Sequence, residues 1–511
     1  VSRVHMTVLG LLMALLIVSL DQTILVTALP VIVAKLGGMK EFAWVFSAYL
    51  IASVAGMPLF GKLSDMYGRK RFFVFGIIVF MAGSMLCGTA SSMDGLIMFR
   101  VVQGIGGGAL MPVVFTILFD LFPADKRAKM TGLFGAVFGL SSVLGPIAGG
   151  FFTDYMHWRW IFFINLPIGL IALLIVVFCY RETLVFRKQQ LDWLGTFTLV
   201  ASILCFMFAL EMGGKEEAWT SPLILGLFAG TIALLIAFIW IESRVAEPII
   251  PLRLFHNRLF TSSMAAGLLF GMVLMAGAVF IPLFVQGVAG GSATSASTVL
   301  TPMMLALVVS SMAGGMLVRQ LPFRNIMLIA VSVLLAAVVC LAGVTPETSQ
   351  LQMTLYMIVM GLGIGASYPV TSLAAQHNID YRQRGTVNSL VRFFQTLGNA
   401  LGIAIFGSFQ TSCLQEKYSA VLSDPKLAEA FGNPQVLLQE EVRQAMPGSL
   451  LKQLLEVLSD SIAYVFQWSI LICLFAVMFI LMMGRVKMVT TKPHGHSTTA
   501  AVQASASSGE R

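Results

Sequence analysis

Apolar runs of the length an α-helix needs to cross a bilayer, roughly 20 residues, recur almost end to end along this chain. Fourteen can be placed, near residues 8–33, 43–60, 72–90, 95–118, 130–151, 160–180, 193–212, 221–241, 260–285, 295–318, 325–343, 353–375, 390–410 and 461–484. A water-soluble core cannot hide that much apolar surface. Hydrophobic residues make up 58% of the 511 and charged residues 11%, against roughly 45–50% and about 25% in soluble domains. The expected fold class is all-α integral membrane. The first run, Met6 to Val33, is about twice as long as a signal-peptide core and carries Asp21, so it is read as a retained span.

The short segments between runs hold most of the charge, and they alternate. One set holds Arg3; Lys62, Arg69, Lys70 and Arg71; Lys126, Arg127 and Lys129; Arg181, Arg187 and Lys188; and continues in this way to Arg485, Lys487 and Lys492. The short loops of the other set hold only Lys35, Lys40, Arg159 and Lys215. Cytoplasmic loops carry the excess of Lys and Arg, so the basic set and both termini are expected in the cytoplasm. The net charge of +8 then orients spans rather than forming a patch, and no nucleic-acid partner is expected.

The six cysteines form no C-x-x-C pair and the six histidines have no metal-site spacing, so neither metal nor other cofactor is expected. No G-x-x-x-x-G-K-[ST] occurs, and nothing suggests ATP hydrolysis. A membrane enzyme would need His, Asp or Cys grouped at one interface, and the chain shows no such grouping. It is not expected to be an enzyme. A channel is disfavoured too, since it would favour identical spans assembled around a pore.

Two stretches fall outside the spans. Residues 411–460, broken by Asp424-Pro425, Asn433-Pro434 and Pro447-Gly448, are expected to form a long external segment with room for short amphipathic helices. The polar tail after Lys487 is expected to be disordered. A weak echo links Gly61-Lys-Leu-Ser-Asp65 after the second span to Gly315-Met-Leu-Val-Arg319 after the tenth. Such an echo suits parallel repeats: a six-helix bundle over 1–185, two extra spans with linkers over 186–245, a second six-helix bundle over 246–486, and a cytoplasmic tail over 487–511.

The most specific local signal is Gly61-Lys62-Leu63-Ser64-Asp65-Met66-Tyr67-Gly68-Arg69-Lys70-Arg71. Its two glycines permit a tight turn, its cations suit an anionic leaflet, and Asp65 can pair with Arg69 or a facing helix N-terminus. A plain positive-inside loop is the competing reading. The segment resembles the signature loop of the major facilitator superfamily. Leu96-x-x-x-Arg100-x-x-Gln103-Gly104 resembles that family's fourth-helix motif, and Gly145-Pro146-Ile147-Ala148-Gly149-Gly150 its exporter motif in the fifth helix. Leu20-Asp21-Gln22-Thr23-Ile24, with Ala28-Leu29-Pro30, and Trp158 to Pro167 are similar to the fourteen-span drug/proton antiporters, the DHA2 family. Val26 and Ser141 depart from the usual Asn and Gly.

The resemblance implies a major facilitator fold, two six-helix bundles plus two central extra spans. It implies proton-coupled export of amphipathic, cationic drugs or toxic compounds through the cell membrane. Export of an endogenous lipid, peptide or metabolite, or nutrient uptake, is the alternative. The expected partners are the small substrates, protons and bilayer lipid, with the chain working as a monomer. Gly61, Asp65, Gly68, Arg69, Gly145, Pro146, Gly149 and Gly150 are the expected gating residues, though a Gly/Pro kink in the fifth span is equally a structural device.

Asp21 lies about 20 Å into the first span. A charge at mid-membrane costs about 2.5–3.5 kcal/mol even on the lenient insertion scale, so it usually lines a cavity and acts. A proton and a cationic substrate are expected to compete for it; permanent hydrogen bonding to a neighbour such as Arg100 is the other possibility. Counting leaves roughly 10 Å of depth between Asp21 and Arg100. Arg100 either assists proton movement, as the resemblance implies, or snorkels to the external interface. Glu211 and Arg392 are read as interfacial flank charges, and the run Gly104-Ile105-Gly106-Gly107-Gly108 as a helix-packing surface. The 30 methionines and 38 phenylalanines fit an adaptable cavity and a lipid-facing surface equally.

Overall fold

A computed structural model describes residues 3–36, 44–122, 124–182, 192–213, 217–245, 248–291, 293–379, 383–421 and 447–487, less some side chains within the helices, among them that of Pro146. The described helices are α1 (Arg3–Leu36), α2 (Trp44–Tyr67), α3 (Arg69–Thr89), α4 (Met93–Leu121), α5 (Ala124–Tyr155), α6 (Trp160–Phe163), α7 (Asn165–Cys179), α8 (Trp193–Met212), α9 (Pro222–Glu242), α10 (Arg258–Gly287), α11 (Ala293–Leu317), α12 (Phe323–Leu341), α13 (Gln350–Gly365), α14 (Ser367–Ala375), α15 (Arg384–Val421) and α16 (Gly448–Met482). Every expected span coincides with helix. The sixth is α6 and α7, interrupted at Ile164, and the twelfth is α13 and α14, interrupted at Ala366. Thirteen stretches are long and apolar enough to cross a membrane, and α5 stands where the fifth run lies. The chain is a multi-pass membrane protein.

Tertiary contacts support the alternation read from charge. Contacts at the ends bearing the basic segments join those ends to one another, as where Asp65 at the close of α2 meets the start of α15. At the opposite face, Gln350 at the start of α13 reaches Thr298 near the start of α11. Polar residues set several boundaries: Ser92, Asp192 and Ser221 accept hydrogen bonds from the first turns of α4, α8 and α9. Ser349 and Gln352 form a reciprocal capping box at α13.

Some boundaries differ from expectation. α2 continues to Tyr67 rather than stopping at 60, because the segment beyond is held against neighbouring helices. α15 runs on to Val421 and α16 begins at Gly448, with Pro447 at its N-cap. The described parts of 411–460 are therefore continuations of the spanning helices, not separate short ones. They pair with each other: Lys417 bonds Asp460 at 2.6 Å, and Leu414, Tyr418, Leu454 and Leu458 are fully buried. Residues 422–446 and the tail from 488, including the expected disorder, lie outside the described residues.

One apolar cluster unites α1, α2, α3, α4 and α7 around Leu15, Phe73, Phe80 and Val113. Another unites α10 to α16 around Phe270, Met303, Leu334 and Phe466. A third, with Val54, Met207, Phe238 and Val391, runs between them across α2, α8, α9 and α15. The two central spans α8 and α9 thus sit at the seam, while Ile232, Ile236 and Trp240 of α9 face outward.

The glycine run of α4 behaves as a packing surface. A Cβ on Gly104 would lie 2.5 Å from the Tyr49 carbonyl oxygen, and one on Gly108 2.5 Å from that of Ser53, both on α2. Gly106 meets the Phe80 backbone of α3 from the other side. Without side chains there, α4 lies flush against two helices at once. Gly108→Leu is therefore expected to destabilise the bundle by about 1–3 kcal/mol, lowering the thermal unfolding temperature of the detergent-purified protein. Gly230→Leu on α9, where an added Cβ meets nothing within 4 Å, is expected to leave it unchanged. Equal melting of the two variants would refute the packing role.

Candidate functional site

At the basic end, the signature segment forms a compact set of charge contacts. Gly68 has φ 111°, a conformation that glycine adopts without strain, and this single residue turns α2 into α3. Asp65 on the last turn of α2 accepts hydrogen bonds from Gly385 N at 3.1 Å, Thr386 N at 2.7 Å and Thr386 Oγ1 at 3.1 Å. A carboxylate thereby caps the N-terminus of α15, where unpaired N–H groups and the helix dipole favour negative charge. Arg69, fully buried, donates Nη2 to Asp65 at 3.3 Å and pairs through Nη1 with Asp120 at the end of α4.

Glu182, beyond α7, accepts the Arg69 and Lys70 backbone N–H groups at 2.6 and 3.4 Å. Lys70 Nζ returns to the Val177 and Tyr180 carbonyls at 2.6 and 2.9 Å. Five helices are tied at one end. Gly61 is not part of a turn, contrary to expectation: it lies inside α2 and faces Ser389, where any Cβ would overlap the serine side chain. It lets α2 approach α15. After α14, burial holds the His377 imidazole, which meets the Phe323 ring of α12, below its usual range.

Deeper, Asp21 is 1% exposed and bonded on both oxygens. Oδ2 accepts from Arg100 Nη1 at 2.5 Å; Oδ1 accepts from Gln103 Nε2 at 2.8 Å and Asn165 Nδ2 at 3.2 Å. Arg100 is fully buried, donates Nε to the Val45 carbonyl at 3.1 Å, and lies 4.5 Å from the Tyr49 ring centroid. Asn165 also donates to Ser84 Oγ, which donates to the Phe162 carbonyl. The depth gap left by counting does not exist, and Arg100 does not snorkel.

The fifth-span motif touches the same helix. Gly145 is so close to Thr23 that a Cβ would collide with its side chain, and Thr23 Oγ1 donates to the Ser141 carbonyl at 2.9 Å. Gly149 is buried. Gly150 faces open space, with nothing within 4 Å of an added Cβ, so the close helix contact made at Gly145 does not extend to it. The Pro146 side chain lies outside the described set.

Sequence reasoning missed Gln103 and Asn165 as partners of Asp21, and Asp120 and Glu182 as partners of the signature loop. Gln103, three residues after Arg100 and so on the same helix face, carried a usable signal. Asp120 and Glu182 carried none, since each meets its partner only through tertiary contact. Arg392 is not a flank charge: it is buried, with its guanidinium 3.7 Å from the Phe115 ring centroid.

A sequence profile of the Major Facilitator Superfamily matches residues 11–403. The chain is 46% identical to Multidrug resistance protein 3 of Bacillus subtilis (strain 168), over 95% of this chain and 96% of that protein. It is 36% identical to Multidrug transporter protein MdtP of the same organism, over 96% and 95%. Among solved structures, that of the human organic anion transporter MFSD10 (TETRAN) matches with TM-score 0.59 at 14% identity, covering 92% of this chain and 99% of the other. A bacterial homologue of the human lysosomal transporter Spinster matches with TM-score 0.56 at 18% identity, covering 96% and 99%. Both likenesses concern the fold.

The Asp65 cap makes a direct prediction. In a variant whose native cysteines are replaced, Ser389→Cys places a thiol behind Gly61. Adding Asp65→Asn is expected to raise its maleimide labelling rate about tenfold, corresponding to roughly 1.4 kcal/mol lost from the closed contact. Unchanged labelling would show that the cap does not hold the two helices together.

Proposed function

This chain belongs to the Major Facilitator Superfamily, a family of transporters rather than enzymes, and we propose that it is a proton-coupled exporter of amphipathic drugs or toxic compounds. The observation that carries this reading is the Asp21 carboxylate, buried within the membrane and bonded to Arg100, Gln103 and Asn165. The printed names of its relatives, a multidrug resistance protein and a multidrug transporter, support drug efflux.

Protonation of Asp21 removes the charge that holds Arg100, and this is the step by which a proton enters the cycle. A cationic substrate group competes with the proton for the same carboxylate. The basic segments face the cytoplasm with both termini, the bilayer is the cell membrane, and the monomer is the working unit. On this orientation Asp65, Arg69, Gly61 and Gly68 close the cytoplasmic side, while Gly145, Pro146, Gly149 and Gly150 form the flexible part of α5 that reseals after substrate leaves. One proton moving inward down about 100 mV supplies roughly 2.3 kcal/mol, enough for about a fiftyfold gradient of a substrate with no net charge; exchange for a singly charged cation is electroneutral and is driven by the pH gradient alone.

Uptake of an amphipathic fluorescent dye into energised everted membrane vesicles, whose outer face is the cytoplasmic one, tests the reading. Wild-type transport is expected to collapse on adding a proton uncoupler, Asp21→Asn to abolish it, and Asp21→Glu to retain part of it. Transport that survives the uncoupler and requires ATP, or full coupled transport by Asp21→Asn, would overturn the proposal.

A further inference from the structure

On α15, about 9 Å along the helix from Thr386, a guanidinium is buried with no counter-charge among the described residues. Arg392 is 9% exposed. Its Nη1 donates to Gln395 Oε1 at 3.0 Å, and its Nη2 has no hydrogen-bond partner among the described residues. The charge rests on two aromatic faces, Phe115 of α4 with its centroid at 3.7 Å and Tyr368 of α14 at 5.8 Å. A cation–π contact contributes about 0.5–2 kcal/mol, less than the several kcal/mol lost when a charge leaves water. The cation therefore remains under-compensated here.

Its surroundings are polar and uncharged. Gln395 Nε2 donates to Thr371 Oγ1 at 3.4 Å, Gln376 Nε2 to Asn388 Oδ1 at 2.8 Å, and Asn388 Nδ2 to Thr116 Oγ1 at 3.3 Å. Among the described residues no Asp or Glu forms an ion pair with Arg392. The contrast with Asp21, engaged by three donors, is complete: one centre is a satisfied carboxylate, the other an unsatisfied cation. They lie at different depths, since Phe115 is 15 residues beyond Arg100 on α4, about 22 Å along the helix.

We propose that Arg392 is the docking point for a carboxylate on the transported amphiphile, reached when α4 and α15 part and Phe115 withdraws from the guanidinium. This rests on the export reading above and adds a substrate class to it: aromatic amphiphiles bearing an acid group, including zwitterions. A planar guanidinium can hold a carboxylate through two parallel hydrogen bonds, and the free Nη2 supplies the second. Phe115 and Tyr368 offer flat faces to the aromatic body of the ligand. Asp21, on the opposite half of the chain and nearer the other end, remains available to a positive group only once Arg100 is released.

Two dyes that differ in one group separate this site from the rest of the cycle. Rhodamine B carries a free carboxylate; its ethyl ester carries the same cationic ring system with the acid capped. Binding of each to the purified full chain in a neutral detergent is read by fluorescence anisotropy for wild type, Arg392→Gln and Arg392→Lys. Arg392→Gln is expected to weaken the acid about tenfold or more while leaving the ester within about twofold, and retained ester binding reports that the variant is folded. Arg392→Lys, which keeps the charge but loses the planar fork, is expected to fall between, and it serves where Arg392→Gln does not fold. Equal weakening of both dyes, no weakening of either, or failure of wild type to bind the acid overturns the assignment. Uncoupler-sensitive transport of the ester in everted vesicles reports on proton coupling separately, so the two readings fail independently.

Discussion

Hydrocarbon supplies no water and no counter-ions, so every charge placed within it must be answered by the protein itself. That constraint explains the most elaborate polar structure in the chain. Asp21 is met by an arginine, a glutamine and an asparagine drawn from α4 and α7, and Arg100 is in turn met by a backbone carbonyl and an aromatic face. Removing one member of such a buried pair typically costs about 3–5 kcal/mol. The same expense makes protonation consequential: neutralising Asp21 leaves Arg100 as the uncompensated group and changes what its neighbours can stably do.

α4 carries contacts at three depths. Arg100 meets Asp21 near one end, Phe115 covers Arg392 farther along, and Asp120 meets Arg69 at the other end. Glycines between Arg100 and Phe115 seat the helix against α2 and α3, so α4 is held by backbone contact as well as by charge. In the second half, α15 has the Asp65 cap at its start and Arg392 two turns on. Movement of α15 away from both α2 and α4 would break the cap and uncover the arginine together.

The charge contacts at the basic end have a different character from those at Asp21. They use helix termini: Asp65 at the start of α15, Glu182 at the start of α3, and Lys70 at the carbonyls closing α7. Each supplies what the terminal turn lacks. Separation of the helices returns these groups to water, which is cheaper than leaving them in lipid. Such contacts lose less on separation than the Asp21 network, whose members are buried within the span.

The apolar runs by themselves determined the spans, because a bilayer admits only helices long enough to cross it, and the alternation of basic segments determined which ends lie on the same side. Gly68 and the Asp65–Arg69 pair were legible because turn and ion pair are local physics written within five residues, whereas the start of α15 that Asp65 caps lies about 320 residues away. The tertiary structure alone decided that Arg100 reaches Asp21, that Asp120 and Glu182 complete the loop's contacts, that Gly61 serves a helix contact and not a turn, and that Arg392 is buried rather than flanking. Helix tilt, overrun and rotation set those outcomes, and they depend on how side chains of distant helices fit together. A hydropathy pattern records whether a residue lies in a span; it does not record which neighbour the span turns that residue toward.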